Sequence, residues 1–127
     1  MRLLLDTHVL LWWPENNPRL GSQARAEIAA ATNRVFVSAA SGWEIAIKRA
    51  LGTLEAPAGW AAIVTEKGFT HLPISITHAE HAGALPPHHR DPFDRMLIAQ
   101  AQIEGLELVS ANPRLARYGV KLLAANV

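Results

Sequence analysis

The order of elements along the chain predicts an α/β fold, with a central and mostly parallel sheet flanked by helices. Arg2–Leu5 and Leu106–Ser110 are short, continuous apolar runs, the pattern of strands covered on both faces. Such runs alternate with stretches of helical spacing, as in a sheet wrapped by crossover helices. Acidic residues gather where the runs stop, and in sheets of this type ligands bind beyond the carboxyl ends of the strands.

The first strand, Arg2–Leu5, is broken abruptly by Asp6-Thr7-His8. Val9–Trp13 reads as a short helix stopped by Pro14, and Glu15–Pro18 as a turn-rich connection. Ser22 is placed to cap a second helix running to about Ala31, before the strand Arg34–Ser38. In the next helix Trp43, Ala46, Ile47, Ala50 and Leu51 recur at helical spacing, with Ser41 as cap and Gly52 as stop; Trp43 and Trp60 are assigned to the core. Trp60–Gly68 reads as a helix and His71–Ser75 as a short strand. Thr77 is taken as the cap of a helix His78–Leu85, and Pro86–Arg90 as a loop. Pro92–Glu104 is a strong helix pattern with Asp91 before it, Pro at its first position and Gly105 past its end. Pro113–Tyr118 forms a short helix and Val120–Ala124 a closing strand.

The chain has 127 residues, half of them apolar, which allows one buried core but not two ordinary domains, so residues 1–127 are read as a single domain. No run of about 20 apolar residues marks a membrane span, and the start of the chain does not read as a signal peptide, which points to the cytoplasm. Zero cysteines exclude a disulfide framework, a thiolate metal site and a cysteine nucleophile. A net charge of +1 gives no strong global field, so any nucleic acid must be held by a local basic patch.

Of the 11 acidic residues, four share one kind of place. Asp6 follows the first strand, Glu44 lies in the helix after the second, and Asp91 and Asp94 open the helix before the fourth. Right-handed crossovers bring these ends to one edge of the sheet. Carboxylates so placed repel one another unless a cation compensates, and a hard ion such as Mg²⁺ or Mn²⁺ suits an oxygen-rich cluster. Each acid also has a structural explanation. Ser41-Gly42-Trp43-Glu44 and Asp91-Pro92-Phe93-Asp94 both have the form of capping boxes, and acids in a first turn are favoured by the helix dipole. For Asp6 a strand end gives no comparable capping motive, although it could cap the helix starting near Val9.

Three blocks, Leu3-Leu4-Leu5-Asp6-Thr7-His8, Ser41-Gly42-Trp43-Glu44-Ile45 and Arg90-Asp91-Pro92-Phe93-Asp94-Arg95-Met96-Leu97-Ile98-Ala99-Gln100-Ala101, in this order and spacing resemble the PIN-domain family. The nearest likeness is to VapC-type toxins of bacterial toxin–antitoxin systems, over essentially the whole chain. The resemblance implies a PIN-like three-layer α/β fold, an endoribonuclease dependent on Mg²⁺ or Mn²⁺, a homodimer, and a VapB-type antitoxin that covers the site. It carries the metal-ligand role onto Asp6, Glu44 and Asp94, with Asp91 as an auxiliary group.

A fourth block, Leu108-Val109-Ser110-Ala111-Asn112-Pro113, departs from the pattern: the family's Asp at this strand end is Asn112 here. An amide oxygen can still bind a metal but adds no charge, so one metal position is expected to be weaker. Asn112 equally suits a cap before Pro113. The second function compatible with the chain is therefore a weakened PIN-fold module that binds RNA or antitoxin. A receiver domain ranks last, because no Lys stands at the late strand end. The Thr7 and Ser110 hydroxyls are placed to orient a ligand carboxylate. Arg95 is read as a solvated helix charge or a phosphate contact, Lys48 as an i,i+4 partner of Glu44, and Arg49, Arg90, Arg114 and Arg117 as further phosphate contacts. The His78 and His81 pair lacks a zinc spacing, His8 and His71 read as packing or local hydrogen-bonding residues, and His88 and His89 lie in a loop within reach of substrate.

Overall fold

The computed structural model describes residues 1–127. Five strands, β1 (Arg2–Leu5), β2 (Arg34–Ser38), β3 (Thr70–Leu72), β4 (Glu107–Ser110) and β5 (Leu122–Ala124), form one sheet in the order β3-β2-β1-β4-β5. All four pairings are parallel. Alternate residues feed opposite faces, as the pleat requires. Leu3, Leu5, Val35, Val37 and Val109 join the core on one side. Leu4, Phe36 and Leu108 join the core on the other.

Helices α1 (Thr7–Trp12), α2 (Ser22–Ala29), α3 (Ala39–Ala50), α4 (Trp60–Glu66), α5 (Ile76–Ala84) and α6 (Pro92–Glu104) and a 3-10 helix, Pro113–Tyr118, connect the strands. No helix is long and apolar enough to cross a membrane. The strand order reverses between β1 and β4, so the crevice at their carboxyl ends is the sheet's natural ligand position.

Several caps differ from those read in the sequence. α2 is capped by Gly21 and not by Ser22. α5 begins at Ile76, where Ser75 and His78 close a reciprocal capping box, so Thr77 is not the cap. β3 is shorter than His71–Ser75 because Pro73 has no N–H to give to a ladder.

The largest difference is in α3. It starts directly after β2, with the Ser38 side chain as its cap, so Ser41 lies inside the helix. The apolar stripe Trp43, Ala46, Ile47, Ala50 and Leu51 faces outward, whereas the buried residues are Ala40, Ser41, Glu44 and Ile45. Trp43 is 62% exposed and is not a core residue. It meets Phe93 edge-on, with ring centroids 5.5 Å apart. Trp60 is half-buried against the core.

Candidate active site

Asp6 ends the central strand and starts α1. Its Oδ1 accepts a hydrogen bond from the Val9 N–H at 2.9 Å, and its own N–H donates to the Val109 carbonyl at 3.1 Å. The side chain is thereby fixed to both the helix it caps and the neighbouring strand. Burial pushes its carboxyl above the ordinary range; the Ser110 hydroxyl and the Val9 N–H pull it back, and Glu44 adds repulsion.

Asp94 lies in the first turn of α6, after the cap Asp91, whose Oδ1 accepts from the N–H groups of Phe93 and Asp94. Asp94 does not reach back to close a capping box; its Oδ2 lies 2.8 Å from Nε2 of His89. Burial pushes this carboxyl up as well, a hydrogen bond from His89 opposes the shift, and the charges of Asp91 and Asp6 reinforce it. Asp6 and Asp94 line one cleft of about 330 Å³ together with His8, Trp12, Ser110, Ala111 and Asn112.

Glu44 is only 5% exposed, but it does not line that cleft. Its Oε1 accepts from Thr7 Oγ1 at 2.6 Å and its Oε2 from Lys48 Nζ at 2.6 Å. The capping-box explanation of Glu44 fails, because the helix has already begun three residues before Ser41's supposed first turn could form. Ser41 instead meets Thr7 Oγ1 at 3.1 Å. The Glu44 carboxylate holds the Lys48 ammonium above its usual range. No three His, Asp or Glu side chains stand close enough to enclose an ion. The three acids reach the same edge of the sheet, yet they are not drawn into a single cage, because each has found its own donors.

Ser110 and Asn112 stand at the end of β4. The Ser110 hydroxyl accepts from the Asn112 N–H at 3.1 Å. The Asn112 amide oxygen accepts from the Arg114 N–H at 3.1 Å, so it caps the 3-10 helix while lining the cleft.

Arg95 is half-buried, with its guanidinium turned onto main-chain carbonyls. It donates to the carbonyls of Ala82 (2.9 Å), Leu85 (2.9 Å), Pro86 (3.0 Å) and His89 (3.2 Å). His78 and His81 are occupied in holding α5 to α6, through Glu104 and Gln102 respectively. His89, read in the sequence as a loop residue within reach of substrate, stands instead against Asp94; Tyr118 is the site neighbour that the sequence reading missed, since it reaches His89 from 29 residues away.

A model of the PIN domain matches residues 3–121. The chain belongs to the PIN domain family. Ribonuclease VapC16 of Mycobacterium tuberculosis is 35% identical to this PIN-domain chain over 79 residues, a stretch that makes up 56% of this chain and 56% of that protein. Among solved structures, VapBC2 from Rickettsia felis, crystallised bound to a DNA fragment from its promoter, superimposes with a TM-score of 0.72 over 98% of both chains at 15% identity. VapBC-1 from nontypeable Haemophilus influenzae superimposes with a TM-score of 0.70 over 100% of both chains at 16% identity. At these identities the structural likeness shows a shared PIN fold.

Proposed function

We propose that this PIN-domain chain, a single domain over residues 1–127, is a divalent-metal-dependent endoribonuclease and the toxin half of a toxin–antitoxin pair. The observation that carries the proposal is the pairing of Asp6 and Asp94 across one polar cleft at the sheet's switch point, both desolvated and both pushed toward protonation by burial and by other acids. A set of carboxylate oxygens, two of them pushed toward protonation while no cation is bound, fits a hard dication such as Mg²⁺ or Mn²⁺. Asp6, Glu44 and Asp94 would hold it, Glu44 by exchanging its Lys48 contact for the ion. The ion, when bound, would supply activation of water and neutralisation of developing charge on the phosphodiester. Thr7 orients Glu44, and Ser110 stands against Asp6. The sequence likeness to a ribonuclease supports RNA as the substrate.

The likeness to toxin–antitoxin complexes supports a VapB-type antitoxin as partner and the cytoplasm as the working compartment. The outward apolar stripe of α3 supports a homodimer. Purified protein freed of antitoxin should cleave RNA at millimolar Mg²⁺ or Mn²⁺, and Asp6→Asn should abolish cleavage while leaving the fold intact. Absence of cleavage by the parent protein over a panel of structured and single-stranded RNAs would overturn the proposal.

One observation favours a second reading, a PIN-fold module with weakened turnover. Asn112 brings no charge to the cleft, and its oxygen is occupied as a cap. Asn112→Asp distinguishes the two. A large gain in cleavage supports erosion, and no gain supports an enzyme that works with three acids.

A further inference from the structure

The segment between α5 and α6 contains Pro86-Pro87 and has no regular secondary structure, yet it is tied down at several points. Arg95 donates to five carbonyls between Ala82 and His89. Tyr118 Oη donates to the Pro86 carbonyl at 2.9 Å and accepts from the His89 N–H at 2.8 Å. His88 packs edge-on against the Tyr118 ring, with centroids 5.2 Å apart. Both backbone groups of His89 are therefore held, the N–H by Tyr118 and the carbonyl by Arg95. The consequence is the placement of its imidazole, whose Nε2 meets Asp94 Oδ2 at 2.8 Å. That is the one side-chain hydrogen bond Asp94 makes within the protein, and it leaves Oδ1 without a protein donor.

We propose that Arg95 and Tyr118 are positioning residues that act through His89 to fix the Asp94 carboxylate for a divalent cation. This rests on the reading of Asp94 as a metal ligand. A carboxylate on a first-turn residue can rotate about two bonds, and a single donor on one oxygen selects the rotamer that presents the other. Outer partners of this kind alter metal affinity by about 10- to 100-fold when removed. The arrangement also gives Arg95 a purpose next to Asp94 that needs no contact with RNA.

The test is calorimetric titration of Mn²⁺ into the full chain, with thermal unfolding in chelator as a check on the fold. Tyr118→Phe removes one oxygen and keeps the ring; it should weaken Mn²⁺ binding by about tenfold. His89→Ala should weaken it at least as much, and His89→Gln, which keeps an N–H donor, should recover part of the loss. The Tyr118→Phe, His89→Ala double variant should bind no worse than His89→Ala alone, since the tyrosine acts through the histidine. Independent, additive losses would overturn the proposal, as would unchanged affinity in His89→Ala. Asp94→Asn separates the two levels. If it abolishes Mn²⁺ binding while His89→Ala does nothing, the clamp is wrong and the ligand assignment stands. If Asp94→Asn binds Mn²⁺ normally, the assignment itself falls and the clamp with it.

Discussion

Thr7 Oγ1 stands 2.6 Å from Glu44 Oε1, joining the first residue of α1 to the one acid in α3. Both groups are buried, so the bond is made where water cannot replace it. Thr7→Val, which keeps the shape and removes the hydroxyl, should lower stability by about 1.5–3 kcal/mol, the worth of a hydrogen bond to a charged group. Thr7→Ser should stay close to the parent. Urea midpoints of the three proteins decide the matter, and equal midpoints for Val and the parent would show that Lys48 alone satisfies Glu44.

Asp6→Asn should raise the melting temperature of the metal-free protein. Asn is as good a helix cap as Asp, so the bond from the Val9 N–H survives while the buried charge disappears. The sign in pH follows from the raised carboxyl. A group that binds its proton more tightly when folded stabilises the fold at pH below its unfolded value, 3.8 for Asp6. That contribution is lost as pH rises through the folded value. The advantage of Asp6→Asn over the parent should therefore be small in acid and grow as pH rises through that window. Melting curves taken in chelator across the pH range check this.

Gly21→Ala should destabilise the protein by about 1–3 kcal/mol. A Cβ at this position would fall on the backbone of Val127. The closeness is built in: Gly21 N–H donates to the Ala125 carbonyl and Gln23 N–H to the Val127 carbonyl, both at 2.8 Å. Chemical denaturation measures the loss, and a neutral substitution would mean that the 125–127 segment moves aside at little cost.

Trp43→Arg should change stability by no more than about 1 kcal/mol, chiefly through the lost aromatic contact with Phe93. Its effect on self-association should be larger, because it places a charge in the outward apolar stripe of α3. Light scattering coupled to gel filtration should show a dimer for the parent and a shift toward monomer for the variant. A dimer that ignores the substitution would remove α3 from the interface.

Elements whose signals are local were legible in the chain. β1 and β2 are apolar runs with clear ends, and α6 carries Asp91, Pro92 and Gly105 at the positions that start and stop a helix. What could not be read was the direction in which α3 faces. Its apolar stripe pointed to the core by composition, but the sheet and α1 claim the other face, where Ser41 and Glu44 meet Thr7. Only tertiary packing distinguishes an inward stripe from one that faces outward. The start of α3 was misplaced for a related reason: a serine followed three residues later by a glutamate imitates a cap, whereas Ser38 caps the helix from the end of β2. That Asp6 and Asp94 would come to one edge of the sheet could be anticipated, because element ends are visible in a sequence. The part played by Arg95 could not, since its partners are main-chain carbonyls that any residues would offer.

The margins of the sheet bear on how such a chain meets other proteins. β3 and β5 are three residues long, and Pro73 follows β3 at once. Ribbons this brief offer a visiting strand too few ladder rungs to hold it, which guards against runaway stacking of copies in a crowded cell. Recruitment of other molecules is thus left to the helical exterior, where fit depends on side-chain shape and can be made selective.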